Sequence, residues 1–362
     1  MEQSAAANTT KKPPLLKSLL SLAVALVLVA LTLFLMLRGH EWRHLWKTIC
    51  EVQPLWLVLG LLMVVVCIGC EGECLRQICG SLGHRIRPRK AFAYACIDYY
   101  FSTITPSATG GQPAMLYYMS QDGIPLSKSG IAVLLTTGQY TAALLVLGVI
   151  MAVTHLPFLL SAPPLFIGLL ILGAVLNGLL FAACLLSMFR RSLIERLGGW
   201  LLRLGARLHL VRRLDERLLA FHASLDEYEQ GAAFVRTHPA LSARVFLLCT
   251  VQRLSILIVT FFVYKGFHLH GVSLFHVLAI QTLVTLSVCT LPLPGAVGAA
   301  EGMFLLTFGA AFPERLLMAA MLLTRGVTYY FCLLLSGTVT LGNHLFTLRR
   351  RFRRQRRTEE VS

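Results

Sequence analysis

The sequence predicts an all-α polytopic membrane protein, and three observations carry that reading: an apolar composition, a series of uncharged stretches of spanning length, and a one-sided distribution of cations. Of 362 residues, 56% are hydrophobic and only 14% are charged, with a mean hydropathy of +0.70. Soluble domains carry about 25% charged residues, so this composition cannot cover a water-facing surface. Lys and Arg number 33 against 17 Asp and Glu, a formal net charge of +16. Basic residues spread between apolar stretches suit membrane loops, whereas a nucleic-acid-binding domain would cluster them on a soluble fold.

A membrane-crossing helix needs about 20 mostly apolar residues. Residues 18–37 meet that requirement. They exceed a signal-peptide core and lack a small-residue cleavage site, so they read as a retained anchor. Residues 52–70, 129–154 and, beyond the Pro163-Pro164 break, 165–188 are also free of charge. Residues 245–264 and 316–343 qualify with one charge each, Arg253 and Arg325. These make about six full spans.

Two further apolar regions are broken. Residues 91–121 contain Ser102-Thr-Ile-Thr-Pro-Ser-Ala-Thr-Gly-Gly-Gln-Pro113, and residues 272–313 contain Leu291-Pro-Leu-Pro-Gly-Ala-Val-Gly298. Proline removes a backbone donor and glycine weakens a helix. Irregular backbone at membrane depth is tolerated only inside protein or along a wet cavity. Each region therefore reads as a re-entrant hairpin of two half-helices.

Loop charge orients this layout. With the N-terminus inside, the outer loops hold only Arg38, Arg43, Lys47, Lys265 and Arg315. Every other Lys and Arg falls inside, apart from the intramembrane Arg253 and Arg325. Both termini are then expected in the cytoplasm. The first hairpin enters from the cytoplasm and the second from outside, the opposition an inverted repeat would produce, although the two hairpins share negligible sequence identity.

Residues 1–348 read as one transmembrane domain, with a cytoplasmic amphipathic segment at 189–244. There Leu193, Leu197, Trp200, Leu201, Leu204 and Leu208 recur at helical spacing between arginines, as in a helix lying in the interface. Residues 349–362 form an arginine-rich cytoplasmic tail. It would attract an anionic lipid surface at about 1 kcal/mol per residue; a plain topology signal explains it equally well.

Half-helices meeting near the midplane are the feature most suggestive of function. Pro113 suits the start of a helix, and Gly110-Gly111 would let backbone amides approach a ligand. A helix N-terminus binds anions through free N–H groups and its dipole. Thr103, Thr105, Ser107 and Thr109 add hydroxyls around Pro106 and Gln112. A phosphate headgroup fits that surface; a plain helix break packed by its neighbours is the alternative. Ionisable residues inside a membrane are costly and mark functional positions. Asp98, Arg253, Glu301 and Arg325 suggest two neutral pairs, Asp98 with Arg253 and Glu301 with Arg325. Glu301 is equally placed to cap a helix start, and an arginine in a polar cavity can hold a phosphate with two hydrogen bonds.

Other patterns carry less. His40-Glu41-Trp42-Arg43-His44 matches H-E-x-x-H, but no third ligand follows, and zinc catalysis needs three ligands plus an open position. Cys67, Cys70, Cys74 and Cys79 lie among leucines and read as packing thiols. There is no Walker motif, no G-x-S-x-G and no G-x-G-x-x-G. Neither a metal nor a cofactor is expected.

Tyr99-Tyr-Phe-Ser-Thr-Ile-Thr-Pro-Ser-Ala-Thr-Gly-Gly-Gln-Pro113, Pro292-Leu-Pro-Gly-Ala-Val-Gly-Ala-Ala-Glu301-Gly302, and Arg325 followed by Tyr329-Tyr330 resemble the signatures of the lysylphosphatidylglycerol synthase transmembrane-domain family. That family includes the flippase-like domain of the multiple peptide resistance factor. The resemblance covers nearly the whole chain, and Ala296 departs from it where a second glycine is usual. It implies a bacterial-type cell membrane, a role in lipid metabolism and antibiotic resistance, and movement of phosphatidylglycerol or its lysyl derivative. Membrane phospholipid headgroups would be the partners. Thr105, Gly110, Gly111 and Gln112 would cradle the headgroup opposite Pro294, Gly295, Gly298 and Glu301, with Arg253 and Arg325 compensating phosphate charge. The synthase half of bifunctional members is a separate soluble domain, and the chain ending at Ser362 is expected to lack it. A lysyltransferase using aminoacyl-tRNA is the alternative by family name and the one reading with a nucleic-acid partner. A membrane scaffold, with or without self-association, is the third.

Overall fold

The structure, a computed structural model, describes residues 42–105, 108–189 and 237–359, with a few isolated positions between 195 and 219. The expected anchor at 18–37, His40 and Glu41, Pro106, and most of the amphipathic segment at 189–244 lie outside the described residues. Among the described residues every regular element is helical, and five helical stretches are long and apolar enough to cross a membrane.

A short helix, α1 (Trp42–Cys50), precedes α2 (Pro54–Ser81), α3 (Pro88–Ile104), α4 (Gly111–Gln121) and α5 (Leu126–Thr154). After α6 (Leu156–Ser161) come α7 (Pro164–Phe189), α8 (Pro239–Leu257), α9 (Val259–Gly266), α10 (Leu274–Val288), α11 (Ala299–Thr307), α12 (Glu314–Arg325) and α13 (Cys332–Glu359). Proline opens α2, α3, α7 and α8, where its missing N–H has no intrahelical partner to lose. The backbone of α13 continues without a break through the arginines of the tail.

The stretch at 52–70 grows at its far end. α2 runs on to Ser81 and carries Glu71 into the core, 7% exposed. At 28 residues and 1.5 Å per residue it is about 42 Å long, ample for a bilayer core of about 30 Å. It is the reference axis for the rest. Along it α8 and α9 run antiparallel: Cys74 meets Cys249, Glu71 meets Gln252, and Gln53 N–H donates to the Gly266 carbonyl at 3.0 Å.

Both broken regions are hairpins. Lys90 at the start of α3 bonds Asp122, just past α4, at 2.8 Å, so the first hairpin opens at the Ser81 end of α2. Val272, before α10, donates to the Tyr264 hydroxyl, whose ring stacks edge-on with Phe312 beyond α11 at 5.5 Å. The second hairpin therefore opens at the Gly266 end, which is the Pro54 end of α2. The two enter from opposite faces. α5 starts beside the first mouth, where Lys128 donates to the Leu82 carbonyl, and ends beside the second, where His155 meets Phe275. Span, hairpin, span (α2, α3–α4, α5) is thus repeated upside down as α8–α9, α10–α11, α12–α13, with α7 between the units.

Small residues set the closest approaches, as expected where lipid tails compete poorly with tight packing. A Cβ on Gly72 would sit 2.9 Å from the Ala91 carbonyl carbon, and one on Gly173 would strike the Leu286 carbonyl. Gly72→Ala should therefore push α3 off α2 and cost about 1–3 kcal/mol. The check is the thermal midpoint of purified protein in detergent, expected to fall by several degrees.

Candidate functional site

The hairpin tips meet at a cavity of about 320 Å³ between the two units. The first hairpin contributes Ser102, Thr103 and Ala108, the second Leu293, Gly295 and Ala296, and the last span Thr324, Arg325 and Thr328. Its lining is mixed: hydroxyls and one guanidinium together with leucine, valine and phenylalanine.

At the first tip, the chain leaves the helix at Thr105 and its own side chains satisfy the freed backbone. The Thr105 hydroxyl donates to the Phe101 carbonyl at 2.7 Å and accepts from Gly110 N–H at 2.9 Å. Thr103 donates to the Tyr99 carbonyl at 2.6 Å. Helix α4 begins at Gly111, two residues before Pro113, which still lies in the first turn. A Cβ on Gly111 would run into Ser102 and the Asp98 carboxyl, so glycine is what lets the positive end of α4 press against Asp98. Gln112 turns outward and bonds Thr137 at 2.9 Å.

At the second tip two backbone groups are served by one ion pair. Gly295 and Ala296 sit at φ +58° and +52°, and Gly298 at +86°. Glu301, 3% exposed, accepts from Gly298 N–H at 2.7 Å and from Arg325 Nε at 2.7 Å. Arg325 also donates to the Gly295 carbonyl at 3.0 Å and lies over the Tyr329 ring at 4.6 Å. A π-helical turn at Gly326–Phe331 follows directly. Such turns recur at functional sites because the wider turn re-aims side chains; here Arg325 and Tyr329 both reach Gly295. A Cβ on Gly295 would overlap Tyr329.

Of the residues expected to form the site, Thr103, Gly295 and Arg325 line the cavity. Thr105, Gly110 and Gly111 build the first tip from behind; Pro294, Gly298 and Glu301 build the second. Thr109, Gln112, Pro113 and Pro292 are exposed. The Glu301–Arg325 pair forms, and Glu301 caps as well. The expected Asp98–Arg253 pair does not form among the described residues. Arg253 instead stacks on Tyr140, 3.3 Å from the ring centroid. Asp98 lies against Glu71 and Ser102. Sequence reasoning missed Glu71 because the apolar run ends at Cys70. The signal was its helical register with Cys67 and Cys74, which puts all three on one face. It also missed Thr324, a lining residue whose hydroxyl is enclosed without a hydrogen-bond partner at 2% exposure.

A family description, lysylphosphatidylglycerol synthase TM region, matches residues 18–336. The chain belongs to this family. Membership and the long apolar helices together make it a multi-pass membrane protein related to lipid metabolism. No curated protein matches the chain. Ala296 takes a left-handed conformation that a glycine would adopt without a Cβ penalty.

Two substitutions separate conformation from space. Gly295→Ala meets both a positive φ and the Tyr329 ring, and should cost about 2 kcal/mol or more. Ala296→Gly relieves the left-handed alanine but adds unfolded-state entropy, so stability should stay within about 1 kcal/mol. Paired melting curves in detergent test the contrast.

Proposed function

We propose that the chain moves an anionic or aminoacylated phospholipid, of the phosphatidylglycerol or lysyl-phosphatidylglycerol class, across the membrane through the cavity between the hairpin tips. One observation carries the reading. Two re-entrant hairpins from opposite faces meet at a cavity that presents a single guanidinium among hydroxyls. A phosphodiester needs charge compensation and hydrogen-bond donors, and its acyl chains need an apolar wall. Arg325, Thr324 and Thr328 supply the first, and Leu293, Val284 and Phe304 supply the second. Inverted units around a fixed central site are the usual basis for alternating access.

The face bearing the first hairpin's mouth also carries Arg85, Arg87, Arg89, Lys90 and Lys128. The positive-inside rule makes that face cytoplasmic in a cell membrane, and with it the start of α8 and the end of α13. The tail arginines would then rest on the anionic inner leaflet. Residues 1–348 act as one transmembrane domain in this reading, with 349–362 as the tail.

Transbilayer movement of labelled phosphatidylglycerol and its lysyl derivative in proteoliposomes tests the proposal. Headgroup-selective movement is expected. Arg325→Ala should abolish it, with Glu301→Gln a second loss at the same tip. Both changes also loosen the second tip, so Thr324→Val is the sharper probe. It removes an unpartnered hydroxyl without changing shape, should leave the melting midpoint unchanged, and should slow movement about tenfold if the hydroxyl bonds a charged headgroup. The family's name keeps tRNA-dependent lysyl transfer as a second reading. Lysyl-phosphatidylglycerol formed by purified protein and charged tRNA would establish it. A folded protein that does neither would be a scaffold.

A further inference from the structure

Behind the cavity wall lies a second polar cluster. Glu71 on α2 and Asp98 on α3 place their carboxyls against each other, and among the described residues no ion pair reaches either one. Gln252 on α8, 1% exposed, directs Nε2 to both Glu71 Oε2 and the Tyr99 hydroxyl at 3.0 Å each, while its Oε1 has no donor. Asp98 Oδ1 is also enclosed without a donor. The nearby cation, Arg253, is stacked on Tyr140. The other titratable groups facing the pair are the hydroxyls of Tyr99 and Tyr140 and the thiols of Cys67, Cys74, Cys96, Cys249 and Cys332. Phenols and thiols are neutral acids near pH 7, so none of them supplies a compensating positive charge. Two touching carboxyls in a low-dielectric setting do not both ionise; they hold a proton between them.

We propose that the Glu71–Asp98 pair is a proton-carrying site that couples lipid movement through the cavity to proton movement. This rests on the translocator reading above. One short path joins the pair to the cavity: Asp98 touches Ser102, a lining residue. Gln252 donates to both Glu71 and Tyr99, so it fixes the Glu71 carboxyl beside the cavity wall without passing a proton. The pair alternates between one proton, net charge −1, and two, net charge zero. Each step makes or breaks one carboxyl O–H bond, with water in the cavity as proton donor or acceptor. The charge is felt in two places. Gly111 sets the positive end of α4 against Asp98, so a negative pair holds the first tip closed and a neutral pair releases it. An anionic headgroup beside Arg325 is repelled by a negative pair across a low-dielectric wall, so its arrival favours the second proton. One proton then travels with one anionic lipid.

The test uses full-length protein in phosphatidylcholine vesicles containing labelled phosphatidylglycerol, with membrane potential clamped. A gradient of one pH unit should drive about a tenfold leaflet asymmetry of the label for one proton per lipid. Glu71→Gln and Asp98→Asn should abolish the asymmetry while eluting as folded protein. Selective movement in the wild type that ignores the gradient would overturn the coupling and leave the translocator intact. That wild-type result stands even if a variant fails to fold. If the wild type moves no lipid, the translocator reading falls instead, and the site is judged by infrared spectroscopy in detergent. A protonated-carboxyl band lost from both variants supports the shared proton; no such band in the wild type overturns it.

Discussion

Backbone that leaves a helix within an apolar phase must find new hydrogen-bond partners, and the architecture follows from how the two tips meet that demand. Each tip solves it differently. At the first, the Thr105 hydroxyl folds back onto the Phe101 carbonyl and accepts from Gly110 N–H. At the second, Glu301 and Arg325 together serve Gly298 N–H and the Gly295 carbonyl. A tip closed by neighbouring hydroxyls is a local device. A tip closed by an arginine from the last span ties the second hairpin to α12. The two tips are therefore unequal in mechanical terms even though the units around them are inverted copies in topology.

The charges inside the bundle divide along the same line. Glu301 and Arg325 neutralise each other and leave the guanidinium facing the cavity. Arg253 is compensated by the Tyr140 ring, a cation–π contact that strengthens where water is excluded. Among the described residues, Glu71 and Asp98 have no such partner. The guanidinium on the cavity wall thus belongs to the second unit, and the acidic cluster behind the wall belongs to the first. That asymmetry underlies the proposed orientation of an anionic guest and its proposed link to protonation of the first unit.

Much of the architecture was legible in the residues. Apolar runs of spanning length located α5, α7 and the last span, and the Pro/Gly-rich segments at Pro106–Pro113 and Pro292–Gly298 marked both breaks. The pairing of Glu301 with Arg325 was also within reach, because one acid and one base lay in neighbouring apolar stretches. Asp98 shows where that logic stops. Neutral pairing is a sound prior for membrane charges, but it presumes that every buried acid has been counted. Glu71 had not been, since a hydropathy window ends where charge begins, whereas the helix continues as long as its neighbours can bury it. With Gln252 donating to it, Glu71 stays inside, and Arg253 takes Tyr140.

Composition and hydropathy by themselves determined that this chain is a helical membrane protein with two interrupted segments, because those properties depend on each residue's transfer energy and on local backbone chemistry. Which faces the hairpins open to, the cavity where their tips converge, and the company kept by Asp98, Glu71 and Arg253 were decided only by tertiary structure. These are contacts between residues far apart in the chain, made by the antiparallel alignment of α2 with α8 and α9. No local rule encodes that alignment; it exists because close packing and hydrogen bonding across the two helices select it.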